Sequence, residues 1–169
     1  MIERIRIEPG TAPQLAKRDA ADELGMKDKE AAAERLEVLH AELETLQQRL
    51  YAEARHSVLL VLQGLDASGK DGVIRKVCEG VNPQGCRVVS FSAPTSSELA
   101  HYYLWRVHAV LPARGEIGIF NRSHYEDVVA VRMLELAPEE VWKRRPSHTV
   151  EWERTPDDEG TTTATVPAT

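Results

Sequence analysis

The sequence predicts an α/β fold built on a parallel sheet, and three observations predict it. Val58-Leu-Leu-Val-Leu62 is an unbroken apolar run of the kind that fills a strand buried on both faces. A glycine-bearing turn and a helix follow at once. From there short apolar runs alternate with longer helical stretches in the order β-α-β-α-β, which calls for a parallel sheet whose ligands gather beyond the carboxyl ends of the strands.

The elements follow in order. Residues 1–27 mix Pro9, Gly10, Pro13 and Gly25 with charges and hold no period, which predicts an extended N-terminal arm. From Lys29 to Arg55, Ala32, Leu36, Leu39, Leu43, Leu46 and Leu50 recur at steps of three and four, an amphipathic helix expected to pack on its own domain. After the strand at Val58–Leu62, a helix is expected over Asp71–Glu79, a strand over Arg87–Phe91, a helix over Ser96–Leu111 and a strand over Glu116–Phe120. Further helices are expected at Tyr125–Leu136 and from Pro138. Residues 146–169 hold seven Thr, three Pro and the acidic cluster Asp157-Asp-Glu159 with no apolar period, so they read as a disordered, atypical tail. The domain plan is therefore an arm over 1–27, a core over 28–145 and a tail over 146–169.

Composition narrows the function classes. The chain has 169 residues, is 42% hydrophobic and 28% charged, and carries a formal net charge of −6. These values suit one soluble domain and disfavour non-specific nucleic-acid binding. No run approaches the roughly 18 apolar residues of a membrane span, and the N-terminus lacks a signal-peptide stretch, so the expectation is a cytoplasmic protein with neither membrane nor nucleic acid as a partner. Cys78 and Cys86 have no metal-ligand spacing and read as reduced, packed thiols.

Two loops at the carboxyl ends of strands carry the chemistry. Gly64-Leu-Asp-Ala-Ser-Gly69-Lys70 fits G-x-x-x-x-G-K between an apolar strand and a helix, the context in which backbone N–H groups, a helix N-terminus and a lysine converge on phosphate oxygens. Gly64, Ala67, Ser68, Gly69, Lys70, Asp71 and Gly72 are accordingly the candidate phosphate-binding residues. Asp71 stands where a metal-ligating Ser or Thr is usual, so the common metal arrangement does not carry over. Asp66 is either a metal-binding or acceptor-orienting carboxylate, the reading favoured here, or a loop residue bonded to its own backbone. The second loop, Asn121-Arg-Ser-His-Tyr-Glu-Asp127, offers Arg122 for a bidentate phosphate contact and Glu126 or Asp127 for metal or base work. His124 reads as a packed or surface histidine before a catalytic one.

These residues resemble the polyphosphate kinase 2 family. The matching segments are EPGTAP, QGLDASGKDG, GVNPQG, APTSSELAHYYLWRVH, LPARGEIGIFNRSHYEDV and APEEVWKRR, spanning about residues 7–145. The resemblance implies a P-loop kinase-like parallel sheet with flanking helices and Mg²⁺-dependent phosphoryl transfer between inorganic polyphosphate and adenine or guanine nucleotides. FNRSHYEDV looks most like the subgroup acting on nucleoside mono- and diphosphates. It further implies catalytic roles for Asp66, Lys70, Arg122 and Asp127, metal binding by Asp66 and Asp127, phosphate or nucleotide contacts for Arg106 and Glu126, and a homo-oligomer. On the residues alone, Arg106 reads equally as a helix-surface arginine.

The chain departs from the family pattern at Ser92, where Lys is common, at Tyr102, where an acid is common, and after residue 145. There a frameshift or early stop is expected to have removed the C-terminal strands and a basic lid. That expectation has two consequences: Val58–Leu62 would become an exposed sheet edge in a marginal or associating protein, and catalysis would be impaired.

Overall fold

The structure, a computed structural model, describes residues 5–7, 11, 15–19, 21–64, 67–133, 135 and 137–168. The part of the arm that falls within them has a short 3-10 turn at Leu15–Lys17, and Arg18 donates to the carbonyls of Ile5 (3.0 Å) and Arg6 (3.2 Å).

Helix α1 spans Lys29–Glu53. It begins where Asp28, in an extended conformation, accepts a bond from the Ala31 N–H at 2.8 Å, satisfying a donor the first turn leaves free. It ends at Ala54, whose left-handed backbone (φ 49°) returns its N–H to the Leu50 carbonyl. The apolar stripe packs less completely than its spacing predicts. Leu39 and Leu46 remain exposed, and α1 leaves an apolar groove of about 470 Å³ against the sheet, walled by Leu43, Leu50, Val58, Leu60 and Ile119. Its firm contact is at the turn before the second strand. Gln47 is buried against Gly85, where any side chain would collide with the Gln47 amide.

Strand β1 (Ser57–Gly64) is followed by α2 (Lys70–Val77), β2 (Cys86–Ser90), α3 (Ser96–Leu99), α4 (Trp105–His108) and β3 (Ile117–Asn121). The α/β reading holds: the strands form a parallel sheet in the order β2-β3-β1-β4, with Val58 opposite Ile117 and Val88 opposite Ile119. Alternation along β1 sends Leu59 and Val61 into a core shared with Phe91, Leu104, Val107, Phe120 and Trp152. Phe91 meets Phe120 edge to face at 4.9 Å. The opposite face of β1 is half buried at Val58 and Leu60 and closed at Leu62, so the strand is enclosed on both sides only toward its carboxyl end.

The helix expected over Ser96–Leu111 is two short ones. Thr95 and Glu98 form a reciprocal cap that starts α3, and the aromatic stretch His101–Tyr103, of modest helix propensity, separates it from α4. The break turns Arg106 inward. Helices α5 (Glu126–Met133) and α6 (Glu139–Trp142) occupy the positions expected for them.

The tail differs most from expectation. Residues Arg145–Asp158 form helix α7, and Thr161–Ala168 form β4, paired in parallel along the whole of β1 from Ser57↔Thr161 to Gly64↔Ala168. Trp152 of α7 is 7% exposed within the core. Strand β1 therefore lies inside the sheet, and the predicted exposed edge at Val58–Leu62 is corrected. The corresponding signal in the sequence is β-branching: Thr161-Thr-Thr-Ala-Thr-Val favours a strand without any apolar alternation. Ser57 Oγ and Thr161 Oγ1 hydrogen-bond at 2.8 Å at the start of the pairing.

Candidate functional site

The carboxyl ends of β1, β2 and β3 bring the two predicted loops together. Gly69 sits just before α2 with φ 84°, a left-handed conformation that glycine adopts without steric cost. Ala67 takes the same region at φ 64°. This curls the loop so that Lys70, the first residue of α2, folds back over it. Its Nζ donates to the Gly64 carbonyl at 2.9 Å and to Ser68 Oγ at 3.1 Å, and the residue is 7% exposed. Asp71 turns toward the second loop and accepts from Asn121 Nδ2 at 2.7 Å. Ala67, Ser68, Gly69, Lys70 and Asp71 face Ser90, Phe91, Asn121 and Arg122 across a cleft of about 480 Å³. Gly72 is exposed on α2 and does not line that cleft. Asp66 lies outside the described residues.

In the second loop Arg122 also has a left-handed backbone, φ 61°, uncommon for a residue bearing a side chain. Its N–H bonds to the Leu62 carbonyl at 3.0 Å, continuing the ladder from β1. Gln63 then ties the segment down, accepting from Ser123 Oγ at 3.1 Å and donating to Glu126 Oε1 at 2.9 Å. His124 is fully buried against Trp152 and Tyr125, so of the packed and surface alternatives the structure takes the packed one. Burial first, and then its bond to Glu153, pushes the Tyr125 phenol well above its usual range, so its O–H stays a donor.

Arg106 and Asp127 form a buried ion pair at 3.1 Å, and Arg106 also donates to the Ser92 carbonyl at 2.8 Å. Arg106 is thus no surface arginine. Asp127, expected as a metal ligand and catalytic carboxylate, has Oδ2 engaged by that guanidinium. Its backbone carbonyl accepts from Arg145 Nη1 at 2.7 Å. Arg106, Glu126, Asp127, Tyr103 and Arg145 belong to a second cleft of about 520 Å³, whose apolar wall includes Pro94, Ala130 and Val131. The two clefts share Phe91 and Arg122.

Sequence reasoning missed Arg145, which lies in a basic run with no spacing relation to either loop, and the cleft walls Ser90, Phe91 and Tyr103. The cysteines match expectation. Both are half-buried free thiols in contact with each other, with burial pushing Cys78 up and Cys86 up to about 11, which favours their protonated forms.

No group of three or more His, Cys, Asp or Glu side chains able to hold a metal ion occurs among the described residues. The carboxylates present, Asp71 at the first cleft and Glu126 and Asp127 at the second, suit a Mg²⁺ ion that arrives bound to phosphates and takes one or two protein oxygens. No helix among the described residues is long and apolar enough to cross a membrane.

Comparison with known proteins places these observations. The family model described as polyphosphate kinase 2 matches residues 26–166, which includes α7 and most of β4, so the tail is family sequence and not a foreign end. An AMP/ADP-polyphosphate phosphotransferase of Meiothermus ruber is 52% identical over 162 residues, covering 95% of this chain and 61% of the relative. An ADP-polyphosphate phosphotransferase of Rhodopseudomonas palustris is 48% identical over 130 residues, covering 77% of this chain and 45% of the relative. The crystal structure of polyphosphate kinase 2 from Arthrobacter aurescens superposes with a TM-score of 0.91 at 33% identity, over 99% of this chain and 60% of that one. The chain thus spans less than two thirds of the length of these relatives. With a G-x-x-x-x-G-K loop after the first strand of a parallel sheet, a second arginine-bearing loop beside it and a family match across both, the chain belongs to the polyphosphate kinase 2 family.

Proposed function

We propose that the chain serves phosphoryl transfer between inorganic polyphosphate and nucleoside mono- or diphosphates of the AMP/ADP type. The observation that carries this reading is the meeting of two clefts at Arg122, one lined by the phosphate loop and one larger and more apolar. Phosphoryl transfer rests on positioning and charge neutralisation, so donor and acceptor must meet end to end beside a fixed cation. Polyphosphate is assigned to the first cleft, where Lys70 and the N-terminus of α2 draw its terminal phosphates. The nucleotide is assigned to the second, its phosphate toward Arg122 and its base toward the apolar wall. The relatives named as AMP/ADP- and ADP-polyphosphate phosphotransferases support this choice of substrates.

In this reading Arg122 spans donor and acceptor phosphates, and its planar guanidinium suits a bidentate contact. Mg²⁺, when bound, neutralises phosphate charge. Asp66 and the Asp127 oxygen not engaged by Arg106 are the carboxylates assigned to it, with Asp71 at the mouth of the first cleft. Arg106 holds Asp127 in place, and Glu126 faces the acceptor.

Incubation with Mg²⁺, AMP or ADP and terminally labelled polyphosphate tests the proposal. The expected result is labelled ADP or ATP that disappears with Lys70→Ala. Label moving from ATP to other acceptors, and never from polyphosphate, would mark an ATP-dependent kinase instead.

A further inference from the structure

The geometry points to Glu153, on α7, as the positioning residue that holds the Arg122 loop in its active shape. This rests on the reading of Arg122 as the junction between the two clefts.

A residue with a Cβ stays at φ 61° only where its surroundings impose it. On its N-terminal side Arg122 is fixed by the bond to Leu62, an extension of the sheet. On its C-terminal side the next three residues must also be fixed. Ser123 is held by Gln63, while His124 and Tyr125 share one atom, Glu153 Oε1, at 3.2 Å from His124 Nε2 and 2.7 Å from Tyr125 Oη, with Thr165 a second partner of the Tyr125 phenol. His124 is fully buried and the Glu153 side chain is 20% exposed, so the bonds lie largely out of water, where they are strongest.

The support beneath Glu153 is rigid. Trp152 beside it is in the core and meets the His124 ring at 4.8 Å, Thr149 one turn earlier is 1% exposed, and Arg145 at the start of α7 bonds the Asp127 carbonyl. A carboxylate carried on so fixed a helix can define where a loop sits. Without its oxygen, His124 and Tyr125 lose their shared anchor, and the loop that holds Arg122 at its left-handed angle loosens. Glu153 touches neither cleft, so it acts through the loop and not on substrate.

Amide hydrogen exchange of Glu153→Ala, Glu153→Gln and Tyr125→Phe, together with tripolyphosphate titration by calorimetry, tests the proposal. Glu153→Ala is expected to lose about tenfold in protection at residues 122–126 and about tenfold in tripolyphosphate affinity, with β1 and β3 unchanged. Glu153→Gln keeps an accepting oxygen for Tyr125 and is expected to restore both to within about threefold, with Tyr125→Phe intermediate. Wild-type exchange at 122–126 in Glu153→Ala, or equal loss in Glu153→Gln, overturns the proposal. If Glu153→Ala opens the whole chain, Tyr125→Phe decides: faster exchange confined to 122–126 supports positioning, and unchanged exchange refutes it. Failure of the wild-type chain to bind tripolyphosphate would refute the functional reading of the clefts, while the exchange measurements would still decide the role of Glu153.

Discussion

The two clefts that meet at Arg122 are built on opposite electrostatic plans. In the first, the contacts of Lys70 include a carbonyl and a hydroxyl of its own loop, groups that the proposed phosphate ligand would replace as acceptors. In the second, the buried Arg106 is bound to the largely buried carboxylate of Asp127 and to the Ser92 carbonyl, and is part of the wall. Under the proposed function Lys70 exchanges contacts within its own loop for a ligand, while Arg106 stays in the wall. The difference teaches that a basic residue beside a cleft must be judged by what it already holds.

The largest effect expected from this contrast is on stability, in the second cleft. Asp127→Ala leaves a buried guanidinium without its carboxylate and should cost about 3–5 kcal/mol, seen as a lower urea midpoint. Lys70→Ala should do the reverse, weakening tripolyphosphate binding about 10- to 100-fold while barely moving the midpoint. If Asp127→Ala were neutral to stability, or Lys70→Ala unfolded the chain, the contrast would break.

Asn121→Ala sharpens the comparison at smaller scale. It removes the 2.7 Å bond that joins the two loops through Asp71, and should cost about 0.5–1.5 kcal/mol of tripolyphosphate binding, read by calorimetry.

The smallest effect concerns pH. Burial holds His108 below its ordinary value near 6.5, and its Nδ1 accepts from Trp152 Nε1 at 3.4 Å. A base with a depressed folded pKa favours folding when neutral. That stability is present above about pH 6.5, declines as pH falls through that value and levels off below the folded pKa. Because His108 is exposed in part, the slope should be shallow. Melting curves between about pH 7.5 and 5.5 should show it in the wild type and a flatter response in His108→Gln.

Both loops were legible in the sequence because their chemistry is local. A glycine-lysine loop after an apolar strand has few other uses, and Arg122 follows a strand of the same kind. What joins them was not legible. The Arg106–Asp127 pair links residues that no helical or strand spacing relates, and it depends on the break between α3 and α4. The tail was misread for a different reason. Strand β4 is held largely by backbone bonds to β1, which leave no apolar period. Helix α7 buries a single large apolar side chain, Trp152, so its pattern is sparse even though its placement is firm. Glu153 looks like any charged residue of a polar segment until Tyr125 and His124 are seen to converge on it.

The proposed function requires two separate clefts to take two substrates on either side of Arg122. Calorimetric titration of tripolyphosphate with and without saturating AMP, in the wild type and in Arg122→Ala, tests it most directly. Both ligands are expected to bind at once, and Arg122→Ala is expected to weaken both. Mutually exclusive binding, or an Arg122→Ala chain that binds both as tightly as the wild type, would contradict it.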